Sequence, residues 1–283
     1  MSDSEEMLSR DIRRILVALD ASAPSLAALE TAVNLAAALE AQLEGLFVED
    51  INLLRLAELP FAYEVRTLSA VTQRVSRLQI EAELQAQAAR ARRALIAAAR
   101  QAQVPATFRV VRGRVPQEVL AAAREADLLL LGRISRPLSR RIRLGSTARI
   151  VVSRTPRSVL VVQSTPVRSI MVTYDGSPLA RRALMTAAGL QRARRNTHLT
   201  VLLLAEEPVL VEQLQEQAAM WLQTWGVTAD YHWPGPPTLA NLAKTAQEAN
   251  CSLLVLGGER LSLSEETVQL LLDSIDCSLM LIR

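Results

Sequence analysis

The chain has 283 residues, half of them hydrophobic but only 3% aromatic, and a formal net charge of +3. That length matches two ordinary domains, and apolar content drawn mostly from Ala, Leu and Val suits helices packed on a parallel sheet rather than an aromatic-rich sandwich. No apolar run approaches the ~18 residues of a membrane span, the polar start does not read as a signal peptide, and a cytoplasmic protein is expected.

The charge is unevenly placed. Residues 1–167 carry 23 Arg against 17 acids, net +6, whereas 168–283 carry 8 Arg and Lys244 against 12 acids, net −3. Eight arginines run from Arg133 to Arg157 with no acid among them. No aromatic residue lies between Phe108 and Tyr174, so the stacking platform of a single-strand nucleic-acid site is missing. Nucleic acid is not the expected partner; phosphates of a small ligand or an acidic partner fit better. Lys244 is the only lysine, which excludes a lysine-bearing phosphate loop in the first half.

Residues 12–19 form a short apolar, β-branched run ending at Asp20, the pattern of a buried parallel strand. Asp20-Ala21-Ser22 then opens a helix with Leu26, Leu29, Val33 and Ala36 on one face. Asp20 stands where open α/β sheets place ligand groups, although a turn or capping aspartate reads equally well. Residues 42–48 read as the second strand. Residues 49–75 break the pattern, and an insertion of this length is expected to be a lid, an interaction segment or disordered. A long helix follows, striped by Leu84, Ala88, Ala91, Leu95 and Ala98. Residues 106–111 read as the third strand, Pro116 opens a short helix, and 127–131 read as the fourth strand.

The stretch 128–147 has the shape of a phosphate cradle. A strand-length apolar run ends in Gly132, a basic loop follows, and Gly145-Ser146-Thr147 closes it at a helix start. Glycines let a backbone approach an anion, while N–H groups and hydroxyls at a helix N-terminus present donors to it. Residues 158–162 complete the first set of strands.

Beyond residues 164–168 the order begins again. Ile170 to Asp175-Gly176-Ser177 repeats Ile15 to Asp20-Ala21-Ser22 at an offset of 155, Gly257 repeats Gly132 at 125, and Ile282 repeats Val162 at 120. In between come a helix with Leu184, Ala187 and Ala188 inward, a strand over 199–205, a helix striped by Leu214, Ala218, Trp221, Leu222 and Trp225, a strand over 228–233 and a helix over 239–248. After Gly257-Gly258 there is no Gly-Ser-Thr, and Glu259, Glu265 and Glu266 stand where the first copy has arginines. One competent anion site, in the first copy, is expected. Cys251 and Cys277 read as buried reduced thiols, and His198 and His232 as structural residues.

Each half resembles a universal stress protein domain. The likeness rests on Val17-Ala-Leu-Asp20 and Val172-Thr-Tyr-Asp175, on the strand ending in glycine, and on the last strand of Ser-Val-Leu-Val-Val type. ATP-binding members carry G-x2-G-x9-G-[ST]; Gly132, Ser135, Gly145 and Ser146 keep that spacing, with Ser135 in place of the second glycine. The resemblance implies two tandem copies, over 11–163 and 169–283, of a five-stranded parallel-sheet, Rossmann-like (adenine nucleotide alpha hydrolase-like) α/β domain. It implies ATP or a related adenine nucleotide, with Mg2+ as accompanying cation. Asp20, Phe47 and Val48 would hold the adenosine part, and Gly132, Arg133, Ser135, Gly145, Ser146 and Thr147 the phosphates. Members pair their last strands across a two-fold axis, so that 158–162 and 278–282 would pair within one chain, as a monomeric pseudo-dimer, or else between chains of a homodimer.

Three functions follow from these readings. The first is a nucleotide-binding stress or signalling regulator, at most a weak ATPase, because no catalytic His, clustered carboxylates or Walker lysine is at hand. The second, an adenylyl-transferring enzyme, is disfavoured by the absence of HxGH and SGGxDS patterns. The third is an interaction module that docks a protein partner through residues 49–75.

Overall fold

A computed structural model of the chain describes residues 12–59, 63–66, 71–74, 76–133, 146–163, 167–193, 197–260 and 265–283. The first half contains β1 (Arg14–Ala18), α1 (Ala23–Ala38), β2 (Gln42–Asp50), α2 (Ile51–Ala57), β3 (Tyr63–Arg66), β4 (Val71–Arg74), α3 (Arg77–Gln101), β5 (Ala106–Gly113), α4 (Val115–Ala123), β6 (Leu128–Gly132), α5 (Ser146–Arg154) and β7 (Ser158–Val162). The second contains β8 (Ser169–Tyr174), α6 (Pro178–Ala193), β9 (His198–Leu203), α7 (Pro208–Thr224), β10 (Asp230–His232), α8 (Leu239–Glu248), β11 (Leu253–Leu256), α9 (Glu265–Ser274) and β12 (Ser278–Leu281).

The main strands form one ten-stranded sheet in the order β10-β9-β8-β11-β12-β7-β6-β1-β2-β5. Every neighbouring pair is parallel except β12 and β7, which run antiparallel with Leu279 opposite Val161, Met280 opposite Leu160 and Leu281 opposite Val159. The expected pairing of the two last strands therefore occurs inside the chain. It turns two five-stranded sheets into one and covers an edge in each half that would otherwise present unpaired backbone groups.

The strands read as continuous apolar runs because both faces of the sheet are covered. Ile15, Val17, Leu128 and Leu130 pack into a core on one face with α1, α3, α6 and α7. Leu16, Leu129 and Leu131 point the other way, into a core with α4, α5, α8 and α9. Cys251 and Cys277 are buried free thiols in this second core.

Several local expectations change. Leu26 is 39% exposed while Leu29, Val33 and Ala36 are buried, because the buried stripe of α1 runs round the helix from Leu35 through Ala32 to Val33 and Leu26, in the first turn, lies just past its Val33 edge. On α7, Trp221 is likewise partly exposed, with the Arg181 guanidinium 4.9 Å above its ring. The 49–75 segment is no structureless insertion where it is described. β2 runs on to Asp50, whose side chain caps α2 by accepting from the Asn52 N–H at 2.9 Å, Leu54 buries into the core, and β3 pairs with β4 as an antiparallel hairpin.

Candidate functional site

The direction of chain travel sets where a site can form. From β1 the chain moves outward through β2 to β5, then returns to lay β6 on the other side of β1. Helices leave β1 and β6 toward opposite faces, which opens a crevice at the strands' carboxyl ends. A cavity of about 310 Å3 lies there, lined by the ends of β1 (Ala18, Leu19, Asp20), β2 (Leu46, Phe47, Val48) and β6 (Leu131, Gly132), and by Thr147 and Ala148 of α5. Leu53, Leu84 and Gln87 of α2 and α3 wall it on the side of the insertion.

Of the residues expected from sequence, Asp20, Phe47, Val48, Gly132 and Thr147 meet in this cavity. Ser135 and Gly145 lie outside the described residues, and Ser146 is described only as the first residue of α5. Arg133 does not join the group. The residue is 4% exposed and its guanidinium turns to the second half, donating to Ile275 O at 2.9 Å and to Leu272 O, and also to Gln163 Oε1 of its own half. Burial pushes its pKa down, against the pull of Asp276, Cys277 and Asp273.

The turn that presents Asp20 is tight. Asp20 Oδ1 accepts from the Ser22 N–H at 2.9 Å, and Ser22 Oγ accepts from the Ser25 N–H at 3.3 Å to cap α1. Ala21 between them has φ 61°, a left-handed conformation that costs an L-residue roughly 1–2 kcal/mol. Its counterpart Gly176 takes φ 81° freely. Gly132 serves packing as well as access: a Cβ there would lie 2.4 Å from Pro24 O and 2.5 Å from Pro24 C at the start of α1. Gly257 in the second half is constrained in the same way by Leu179 and Ala183 of α6.

In the second half the corresponding carboxyl, Asp175, is held by three backbone N–H groups. Asp175 Oδ2 accepts from the Glu259 N–H at 2.8 Å and the Arg260 N–H at 3.0 Å, and Oδ1 from the Ser177 N–H at 3.0 Å. Burial raises the pKa of this carboxyl, but the hydrogen bonds from Ser177, Arg260 and Glu259 outweigh it and hold the group below its ordinary value. Thr173, which stands where the first half has Ala18, exchanges hydrogen bonds with Gly257. The Trp233 indole N–H donates to Ala205 O beyond the end of β9.

Chemically, the described wall of the first-half cavity is an apolar slot with Asp20 and Asp50 as its charged side chains and Gln87, Ser22, Ser25 and Thr147 as its neutral polar ones. Such a slot suits a flat apolar ring with a hydroxylated edge. Among the described residues no group of three or more His, Cys, Asp or Glu is placed to hold a metal ion. Among them, too, no helix is long and apolar enough to cross a membrane. Leu53 and Gln87 had no distinguishing mark in the sequence; Leu84 was legible as a core residue of its helix but not as a cavity wall.

No curated protein matches the chain by sequence. Its structure is similar to that of a universal stress protein from Archaeoglobus fulgidus DSM 4304, at 16% identity and a TM-score of 0.71 over 95% of this chain and 98% of that one. It is similar to a putative universal stress protein from Pseudomonas aeruginosa, at 16% identity and a TM-score of 0.58 over 97% and 94% of the two chains. A universal stress protein solved in complex with cAMP matches 54% of this chain and 98% of its own, at 23% identity and a TM-score of 0.37. The model of the universal stress protein family matches residues 11–163, more than half of the chain, and the chain belongs to that family.

Proposed function

We propose that this chain is a cytoplasmic stress-response or signalling regulator that binds one adenine nucleotide, ATP or a relative, in its first domain (11–163), its second (169–283) being a copy that lacks the Gly-Ser-Thr cradle. The observation that carries this reading is the cavity of about 310 Å3 at the carboxyl ends of β1, β2 and β6, with Asp20, Phe47, Val48, Gly132 and Thr147 in its wall. Asp20 is the group to accept from ribose hydroxyls, the apolar slot around Phe47 and Val48 suits the base, and Gly132, Ser135, Gly145, Ser146 and Thr147 are assigned to the phosphates. Arg133 is committed elsewhere and is withdrawn from that set. Hydrolysis is slow or absent in this reading: Lys244, His198 and His232 all belong to the second half.

Calorimetric titration with ATP, ADP, AMP and cAMP, with and without Mg2+, tests it. Wild type is expected to bind one nucleotide per chain, Asp20→Ala and Gly145→Asp to lose it, and Asp175→Ala to keep it. Binding of two per chain, or of none, overturns the reading.

A second reading has its own observation. Leu53, Leu56 and Leu59 on and just after α2 are 44%, 52% and 41% exposed, which suits docking of a protein partner through the 49–75 segment. Leu56→Glu would abolish such docking while leaving nucleotide binding intact.

A further inference from the structure

The two halves are joined by a reciprocal pair of helix caps as well as by β7 and β12. α5 ends at carbonyls that its own helix leaves unpaired, and Arg283 of the second half takes them: its guanidinium donates to Val152 O at 2.8 Å and to Thr155 O. Arg133 of the first half does the same for α9, at Leu272 O and Ile275 O. Val152 and Thr155 correspond to Leu272 and Ile275 at the repeat offset of 120, so the two capped sites are equivalent. The capping residues are not, because the counterpart of Arg283 is Gln163, which accepts from Arg133 instead. The backbone matches even so: Gln163 N–H donates to Ser278 Oγ at 3.0 Å, and Arg283 N–H to Ser158 Oγ at 3.2 Å.

We propose that Arg283 is a positioning residue for the nucleotide site of the other half, a step that rests on the adenine-nucleotide reading. α5 is nine residues long, too short to hold its shape alone, and its first turn supplies Thr147 and Ala148 to the cavity wall. Whatever holds its last turn sets where its first turn points. Arg283 does so from within the interface, with burial lowering its pKa, and places positive charge at the negative end of the helix. Its own carbonyl accepts from Arg182 of α6 at 2.9 Å, so the clamp is anchored in the second half. The end of α5 that meets phosphate is thereby held by a residue outside the nucleotide-binding half.

The test compares ATP with adenosine on the full chain. Arg283→Met keeps the apolar stem and removes the cap. It is expected to raise the Kd for ATP about three- to tenfold while changing that for adenosine much less, since the proposed adenosine contacts are with Asp20, Phe47 and Val48 at the ends of β1 and β2 and the phosphate contacts with the start of α5. Arg283→Lys should recover part of the loss. Arg133→Met, which uncaps α9 rather than α5, should lower thermal stability and leave the ATP-to-adenosine ratio as in wild type. If Arg283→Met does not fold, Arg283→Lys carries the same comparison, with a smaller shift in the same direction. Equal weakening of ATP and adenosine would show a general loosening and overturn the positioning role, as would an unchanged Kd for ATP. Failure of the wild type to bind any of these ligands would overturn the nucleotide reading and this inference with it.

Discussion

Asp20 and Asp175 occupy the same place in two copies of one turn, each accepting from the N–H two residues on. Asp175 is spent on three backbone N–H groups, two of them in the loop after β11. Asp175→Asn is therefore expected to destabilise the second half by about 1–2 kcal/mol at pH 7, at the lower end because the group is only part-buried. The folded-state pKa is lowered, so the charged carboxyl contributes stability above the ordinary carboxylate pKa and loses it as pH falls through the depressed value. Urea unfolding of wild type and variant should show the gap at neutral pH and its closure in strong acid. Ala21 is the opposite case, a residue whose backbone works against it. Ala21→Gly is expected to stabilise the chain by up to about 1 kcal/mol, the relief of the left-handed strain less the extra chain entropy of glycine, read as a higher melting temperature.

At the scale of elements, α2 is the shortest helix in the cavity wall. α2 has seven residues and is held to the core by Leu54, so Leu54→Ala is expected to free it without unfolding the sheet. Hydrogen exchange should then quicken over Ile51–Ala57 and not over β1 or β6. Glu49 and Arg112 fasten the ends of β2 and β5 together at 2.8 Å next to this helix, which keeps the strand ends fixed while α2 opens. The sequence pattern placed helices and strands well where burial imposes a period, as on α3 and α8. It missed α2 because a short helix held by a cap and one buried leucine has too few turns to show a period.

Across the whole molecule, the antiparallel seam between β7 and β12 and the two guanidinium caps make the halves one folding unit. Thermal unfolding followed by calorimetry should give a single transition with matching calorimetric and van't Hoff enthalpies; two separated transitions would show that the seam is weaker than either half. The cavity of the first half opens at the carboxyl ends of β1, β2 and β6 and Leu53 and Leu56 of α2 are exposed, so nucleotide binding and partner docking remain open to the joined molecule.

The sequence by itself determined the repeat, the α/β class and the strands that carry Asp20 and Gly132, because buried strands are written as local apolar runs and repeats as fixed offsets; the resemblance implied that the last strands pair, and the fold decided that they do so within one chain. Only the tertiary structure decided what each charged residue does. Arg133 follows the cavity strand directly, and a phosphate role was the natural reading of a basic loop; the fold instead lays α9 beside it, with carbonyls that need a donor. Asp175, which the sequence marks only as the repeat of Asp20, is taken by the backbone after β11. Periodicity follows from the chain's own geometry and is local, whereas the partner of a long polar side chain is set by whichever distant backbone the packing brings within reach.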